Sequence, residues 1–234
     1  MTYEDQIQHG YVVHVGLREE PPSPLKSYRS QKTSQSGSVD IRPGGVVGDY
    51  HFHYELTNER PLNLKQYSQL EALTKKQGGK IINTHQVSLF EYEQIEYLRS
   101  LGPEISKLQP GWLGENITTQ GIRLNEIRHN SMIVVNGLRL RVKARRNFCA
   151  KFFVEIPETP ASTKKIIRQN INDLGELQVG ILCQVLDAGT ISNGNAITVY
   201  PNEDLVGQPW KNLPQSGWSC DPRDRVEIIL PNEQ

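Results

Sequence analysis

The sequence predicts a mainly β fold, a β-barrel with a few decorating α-helices. Short runs of alternating or β-branched apolar residues dominate the chain, whereas only two stretches carry apolar residues at helical spacing. Asn136-Gly137 sits between two such runs and is a strong signal for a short hairpin. Internal repeats are absent, so a solenoid or propeller is not indicated.

Taken in order, Tyr11 to Leu17 alternates and reads as a first strand. Glu19-Glu20-Pro21-Pro22-Ser23-Pro24 and the polar stretch to Gly37 read as a long surface loop. Ser38 to Ile41 is a short strand, broken by Pro43-Gly44-Gly45. Residues 62–76 place Leu64, Tyr67, Leu70 and Leu73 on one helical stripe, stopped by Gly78-Gly79. Lys80 to Leu89 contains a strand. Glu91 to Leu101 is a second helix with Tyr92, Ile95 and Leu98 on one face, ended by Gly102-Pro103. Beyond Gly111 the reading is mostly strand: around Ile117, then Met132 to Val135, Leu138 to Val142, Val179 to Leu186, Ala196 to Tyr200 and Val226 to Leu230.

Composition narrows the partners. Lys+Arg and Asp+Glu both number 26, giving zero formal net charge, which is not the basic footprint of a nucleic-acid binder. No apolar run approaches the roughly 18 residues needed for a membrane helix. Met1 to Gly10 lacks the positive start and apolar stretch of a signal peptide, so the expected compartment is the cytoplasm. Cys149, Cys183 and Cys220 are too few and too widely spaced for a disulfide framework or a CxxC zinc site.

Four segments resemble the MOSC family, whose barrel takes its name from the C-terminal domain of molybdenum-cofactor sulfurases. Gly45-Val46-Val47-Gly48-Asp49 is similar to its G-x-x-G-D element. His85-Gln86-Val87-Ser88-Leu89 and the helix after it resemble its x-x-V-S-L strand and helix. Gly111-Trp112-Leu113-Gly114-Glu115-Asn116-Ile117-Thr118, with Gly121, resembles G-x-x-G-E-N-L-T-x-x-G. Arg146-Asn147-Phe148-Cys149 resembles R-x-P-C. Val179 to Leu186, with Gly189 and Gly194, looks like the closing strands. The resemblance spans about residues 11–200 and implies one MOSC-like domain, with a helical insertion over about 54–84 and a C-terminal extension over 201–234.

The resemblance implies a molybdenum cofactor (molybdopterin) and a site assembled from these segments. Cys149 would be the metal ligand and catalytic thiol; a thiolate is a soft ligand, and nearby Lys143, Arg145, Arg146 and Lys151 would lower its pKa. The alternative is a buried structural cysteine. Glu115 and Asn116 would line the pocket as catalytic groups, or else form a turn in which Asn116 bonds its own backbone. Lys32, Arg145 and Arg146 are the cationic candidates for the pterin phosphate, since a guanidinium fork matches phosphate oxygens; solvated surface charges are the alternative. Asp49 and His51 would belong to a cofactor-facing loop. Alternation also sets His51, His53 and Glu55 on one strand face, the composition of a facial iron triad, and a solvent-exposed strand is the third reading. Phe148 stands where the family has proline, and His53-Tyr54-Glu55 stands where many members have H-G-G. Cys183, amid apolar neighbours, reads as core.

The function implied is a molybdenum-dependent oxidoreductase that reduces N-hydroxylated small molecules. Flavin, nicotinamide and iron–sulfur motifs are not visible, so electrons would come from a separate redox protein. A cofactor- or sulfur-carrying module, and a MOSC-like barrel reused without molybdenum, are the alternatives. The stretch from Tyr54 to Gly79 would emerge beside the pocket as a lid, with Tyr54 and Tyr67 as contacts, or form a surface decoration or homodimer contact.

Overall fold

The structure is a computed structural model that describes residues 3–18, 32, 37–49, 52, 80–103, 105–146, 161–162, 165, 180–202, 215–216 and 226–229. In chain order the strands are β1 (Gln8–Val15), β2 (Ser38–Arg42), β3 (Gly45–Val46), β4 (Lys80–Asn83) and β5 (Val87–Glu91). Helix α1 (Tyr92–Ser100) follows, then β6 (Ile117–Gln120), β7 (Met132–Val135), β8 (Leu138–Arg146), β9 (Ile181–Val185), β10 (Gly189–Ser192) and β11 (Ala196–Tyr200). Two C-terminal strands, β12 (Gln215–Ser216) and β13 (Val226–Ile229), complete the order.

Seven strands close on themselves in the order β8-β7-β11-β1-β6-β5-β9, with β9 pairing back onto β8. Closure leaves the barrel strands without a continuous open edge. Neighbours are antiparallel except β5 and β6, which run parallel. A parallel pair needs a crossover rather than a hairpin, and α1 with the loop to Asn116 supplies it. Outside the barrel, β10-β2-β3 and β13-β4 form small sheets.

Alternation builds the interior. Along β8, Leu138, Leu140, Val142 and Ala144 are buried, while Arg139, Arg141 and Lys143 point elsewhere. Leu138, Leu140 and Val142 meet Ile133, Val135, Val87, Leu89, Ile181 and Cys183 in one cluster. β5 is buried at every position, because Val87 and Leu89 face that cluster while Phe90 packs on the outside with Ile95, Leu98, Ile105, Leu108 and Leu113. A strand covered on both faces loses its polar alternation. Each of these apolar side chains contributes roughly 1.5–3 kcal/mol by leaving water.

The mainly β reading holds, with barrel strands at most of the expected places and a helix at Tyr92–Ser100. Asn136 and Gly137 have φ of 48° and 79°, the left-handed pair of a type I′ turn between β7 and β8. The expected strand over 80–89 is two strands. Asn83 Oδ1 accepts the His85 amide at 3.0 Å, and Gln86 Nε2 donates to the Asn83 carbonyl at 2.6 Å. That local bonding turns the chain between β4 and β5. The helix expected over 62–76 and the lid contacts Tyr54 and Tyr67 lie outside the described residues.

Gly180, at φ 90°, precedes β9, and a Cβ there would fall on the Leu89 carbonyl oxygen. Gly137, at φ 79°, has open space around the same position. Gly180→Ala should therefore cost more than about 4 kcal/mol or abolish folding, and Gly137→Ala only about 1–2 kcal/mol. Urea unfolding of the two variants checks the order.

Candidate functional site

The site begins where the crossover returns to the barrel. Gly111 and Gly114 both take positive φ, 83° and 80°, which lets the backbone fold tightly enough for Glu115 to reach back. Its carboxylate Oε1 accepts the Gly111 amide at 2.6 Å and the Thr118 hydroxyl at 2.9 Å. Glu115 is fully buried. Its Oε2 is also buried, with no hydrogen-bond partner among the described residues. The carboxylate thus staples the loop to the first turn of β6.

Asn116 ties three segments together. Its amide Nδ2 donates to the Gly16 carbonyl at 3.3 Å and to Asp49 Oδ2 at 3.2 Å. Its Oδ1 accepts the Ser88 amide at 3.2 Å and the Ser88 hydroxyl at 3.1 Å. The backbone adds Asn116 N to Ser88 O and Gly16 N to Asn116 O, each at 2.9 Å. The side chain therefore bonds across the chain, not within its own turn. Nearly every polar atom of a buried amide is satisfied this way, as burial requires.

Asp49 closes the next link. Its Oδ2 meets Lys32 Nζ at 2.9 Å, and the two side chains are 2% and 5% exposed. The same oxygen accepts the Arg18 amide at 3.1 Å. Lys32 is fixed by its backbone as well: its amide donates to the Gly111 carbonyl at 3.0 Å, and its carbonyl lies 3.0 Å from His14 Nε2. A buried pair of this kind persists only when further hydrogen bonds hold both partners. Lys32 is not a solvated surface lysine.

Arg145 and Arg146 end β8. Arg146 donates Nη2 to the Leu113 carbonyl at 2.6 Å, which turns the guanidinium toward the Gly111–Glu115 loop. Burial pushes the Lys32 pKa down and the Asp49 charge and hydrogen bond push it up; Arg146 and Arg18 add a like-charge push downward, leaving it at about 8. Burial also lowers the Arg145 pKa. Arg18 joins Lys32 on Asp49 Oδ2 through its backbone amide, and Arg146 reaches the same loop whose Gly111 carbonyl holds the Lys32 backbone.

Lys32, Asp49, Asn116, Glu115 and Arg146 thus converge on one rim, and Arg145 stands beside Arg146 on the same strand. His51, His53, Glu55 and Cys149 lie outside the described residues. Cys183 is a fully buried free thiol, and burial pushes its pKa up. Ser88, His14, Thr118 and Arg18 were not expected from the sequence. Only Ser88 carried a signal, as the polar residue inside the Val87-Ser88-Leu89 run.

Residues 50–198 match the family model of the MOSC domain. The chain belongs to the MOSC domain family. Among solved structures it is similar to the YuaD protein of Bacillus subtilis, with 22% identity and a TM-score of 0.61 over 84% of this chain and 98% of that one. It is also similar to YiiM from Escherichia coli, with 14% identity and a TM-score of 0.51 over 82% of this chain and 70% of that one. YiiM from Geobacillus stearothermophilus gives 17% identity and a TM-score of 0.52, over 86% and 77% of the two chains. These likenesses speak for the fold. No curated protein matches the chain. Among the described residues no helix is long and apolar enough to cross a membrane, and none group into a metal-holding cluster of His, Cys, Asp and Glu.

The Lys32–Asp49 pair makes two measurable demands on this MOSC rim. Lys32→Met strands the Asp49 carboxylate and should cost about 3–5 kcal/mol; adding Asp49→Asn should recover most of that. Lys32 holds its proton less tightly folded, at about 8, than at its ordinary 10.5. Between those values the unfolded state carries more proton, so this lysine makes stability rise with pH, by at most about 1.4 kcal/mol per pH unit. Below pH 8 it contributes no slope. Denaturant unfolding should show wild type gaining on the double variant from pH 8 to 10.5.

Proposed function

We propose that this MOSC chain binds molybdenum cofactor at the Lys32–Arg146 rim and reduces N-hydroxylated small molecules with electrons from a separate protein. The observation that carries the reading is the buried Lys32–Asp49–Asn116 network beside Arg18 and Arg146, on the rim from which the chain runs to Cys149. The MOSC family is associated with this cofactor, and the residues present suit it. Cationic groups held close together in a partly dehydrated setting match a phosphate ester. The half-buried Arg145 and the fixed Arg146 end a strand just three residues before a thiol.

In this reading Lys32 and Arg146, with Arg18 nearby, hold the phosphate of the pterin. Asp49 keeps Lys32 in place, and Asn116 keeps Asp49 in place. Glu115 sets the loop whose Leu113 carbonyl orients Arg146. Cys149 offers its thiolate to the metal, favoured by the cations around it in sequence. When bound, the cofactor supplies a metal able to exchange two electrons and an oxygen atom with substrate. The overall reaction takes R–NHOH, two electrons and two protons to R–NH2 and water, and the two electrons enter from the redox partner. Cytoplasmic residence fits such a partner and a thiol kept reduced.

Protein purified from a host that makes the cofactor should retain molybdenum by metal analysis and turn over an N-hydroxylated amidine with a chemical reductant. Cys149→Ser should lose the metal and the turnover with little change in melting temperature, whereas Cys183→Ser should keep both. Molybdenum retained without turnover would favour a carrier of the cofactor. Wild type free of molybdenum would favour the barrel reused without it, the reading to which Phe148 and His53-Tyr54-Glu55 point.

A further inference from the structure

β8 is paired on both sides for only part of its length. On one side β7 reaches only as far as Met132, which faces Arg141. Val142 is still tied there, accepting the Asn130 amide at 2.8 Å and donating to the Ser131 carbonyl at 3.0 Å. Beyond Val142 the β7 ladder has ended on that edge. On the other side β9 continues, with Arg145 opposite Ile181 and the Arg146 amide on the Gly180 carbonyl at 2.8 Å. The β8–β9 register also shifts between Val142 and Ala144, an irregularity that bends a strand and re-aims the residues beyond it.

Past the end of β7, a distant part of the chain pairs with β8. β12 runs parallel to β8, with Gln215 opposite Arg145 and Ser216 opposite Arg146. Farther on, β13 pairs with β4, Ile229 opposite Lys80 and Val226 opposite Asn83. β4 leads through the Asn83–Gln86 turn into β5, which carries Ser88. Both C-terminal strands lie beyond residue 198, where the family match ends. β12 and β13 therefore pair with β8, which carries Arg145 and Arg146, and with β4, which leads to the strand carrying Ser88.

We propose that the C-terminal segment is a positioning element of the anion site, with β12 closing the open edge of β8 so that Arg145 and Arg146 are held at the rim. This rests on the rim's binding a phosphate ester. The physical reason is the bend. A strand end that comes after a register shift and is bonded on one side alone can twist about its remaining ladder. The Arg146 guanidinium is anchored to a separate loop through the Leu113 carbonyl, so a twist of the backbone would pull it off that anchor. Pairing on the second side removes the freedom.

The test uses the full chain. Gln215→Pro/Ser216→Pro removes the N–H of both residues, and with them the one that faces β8, and Gln215→Ala/Ser216→Ala keeps them while changing the same side chains. Three readouts are compared: the melting transition, the Arg Nε–Hε resonances of Arg145 and Arg146, and the Kd for inorganic phosphate followed by 31P NMR. The proline variant should melt within a few degrees of wild type, shift or broaden both resonances, and bind phosphate at least ten-fold more weakly. The alanine variant should behave as wild type on all three. Unchanged resonances and an unchanged Kd in the proline variant overturn the positioning role alone. An alanine variant that loses binding equally overturns it too, since the side chains would then be responsible. Wild type that binds no phosphate overturns the anion reading beneath it.

Discussion

The salt bridge between Lys32 and Asp49 sets the terms for everything at this end of the barrel. Both charges are withdrawn from water, and a buried charge without a partner costs several kcal/mol. Each partner must then be held so that the pair cannot drift apart. Lys32 is held through its own backbone to Gly111 and His14, and Asp49 through Arg18 and Asn116. The ends of β1, β3 and β5 and the crossover loop are thereby tied to one another by polar bonds, where the barrel interior ties its strands by apolar contact. A pair of this sort adds little net stability, but it specifies which segments meet.

The barrel was legible because it rests on patterns that local sequence carries. Alternation in β8, the Asn136-Gly137 turn and the β-branched run of β7 each state a conformation within a few residues. The rim was legible only through its family motifs. Glu115 and Asn116 could be picked out, but not the division of work between them: one closes its own loop and the other reaches three other segments. Nothing near Lys32 in the chain announces that it is buried, since its partners Asp49 and Gly111 are 17 and 79 residues away in sequence. β12 was invisible for a related reason. Two residues have no periodicity, and their strand character comes wholly from the edge they meet.

Position along a paired strand decides whether a side chain serves packing or the rim. Cys183 alternates inward on β9 between Ile181 and Val185, so its thiol loses solvent and becomes harder to ionise. A thiol in that setting is packing material. On β8 the inward alternation ends at Ala144, and Arg145 and Arg146 follow, each only partly buried. The same strand that fills the core through Val142 and Ala144 presents guanidiniums once it reaches the rim.

The gathering of chemistry-bearing residues at this rim is a result of the one parallel pair among the seven barrel strands. Hairpin-linked strands would bring short turns to both ends of the barrel, with little room for side chains that span it. The β5–β6 pair instead requires a long return, and that return arrives at the start of β6 beside the end of β1 and the end of β8. Gly111 to Asn116 is the last stretch of the return, and its backbone supplies the carbonyls that hold Lys32 and Arg146. A loop whose carbonyls accept the Lys32 backbone amide and the Arg146 guanidinium is fixed by them, and it fixes them in turn. The cationic rim is therefore a consequence of the topology as much as of the residues: moving the crossover would leave Lys32 with its carboxylate but take away the frame that keeps Arg146 beside it.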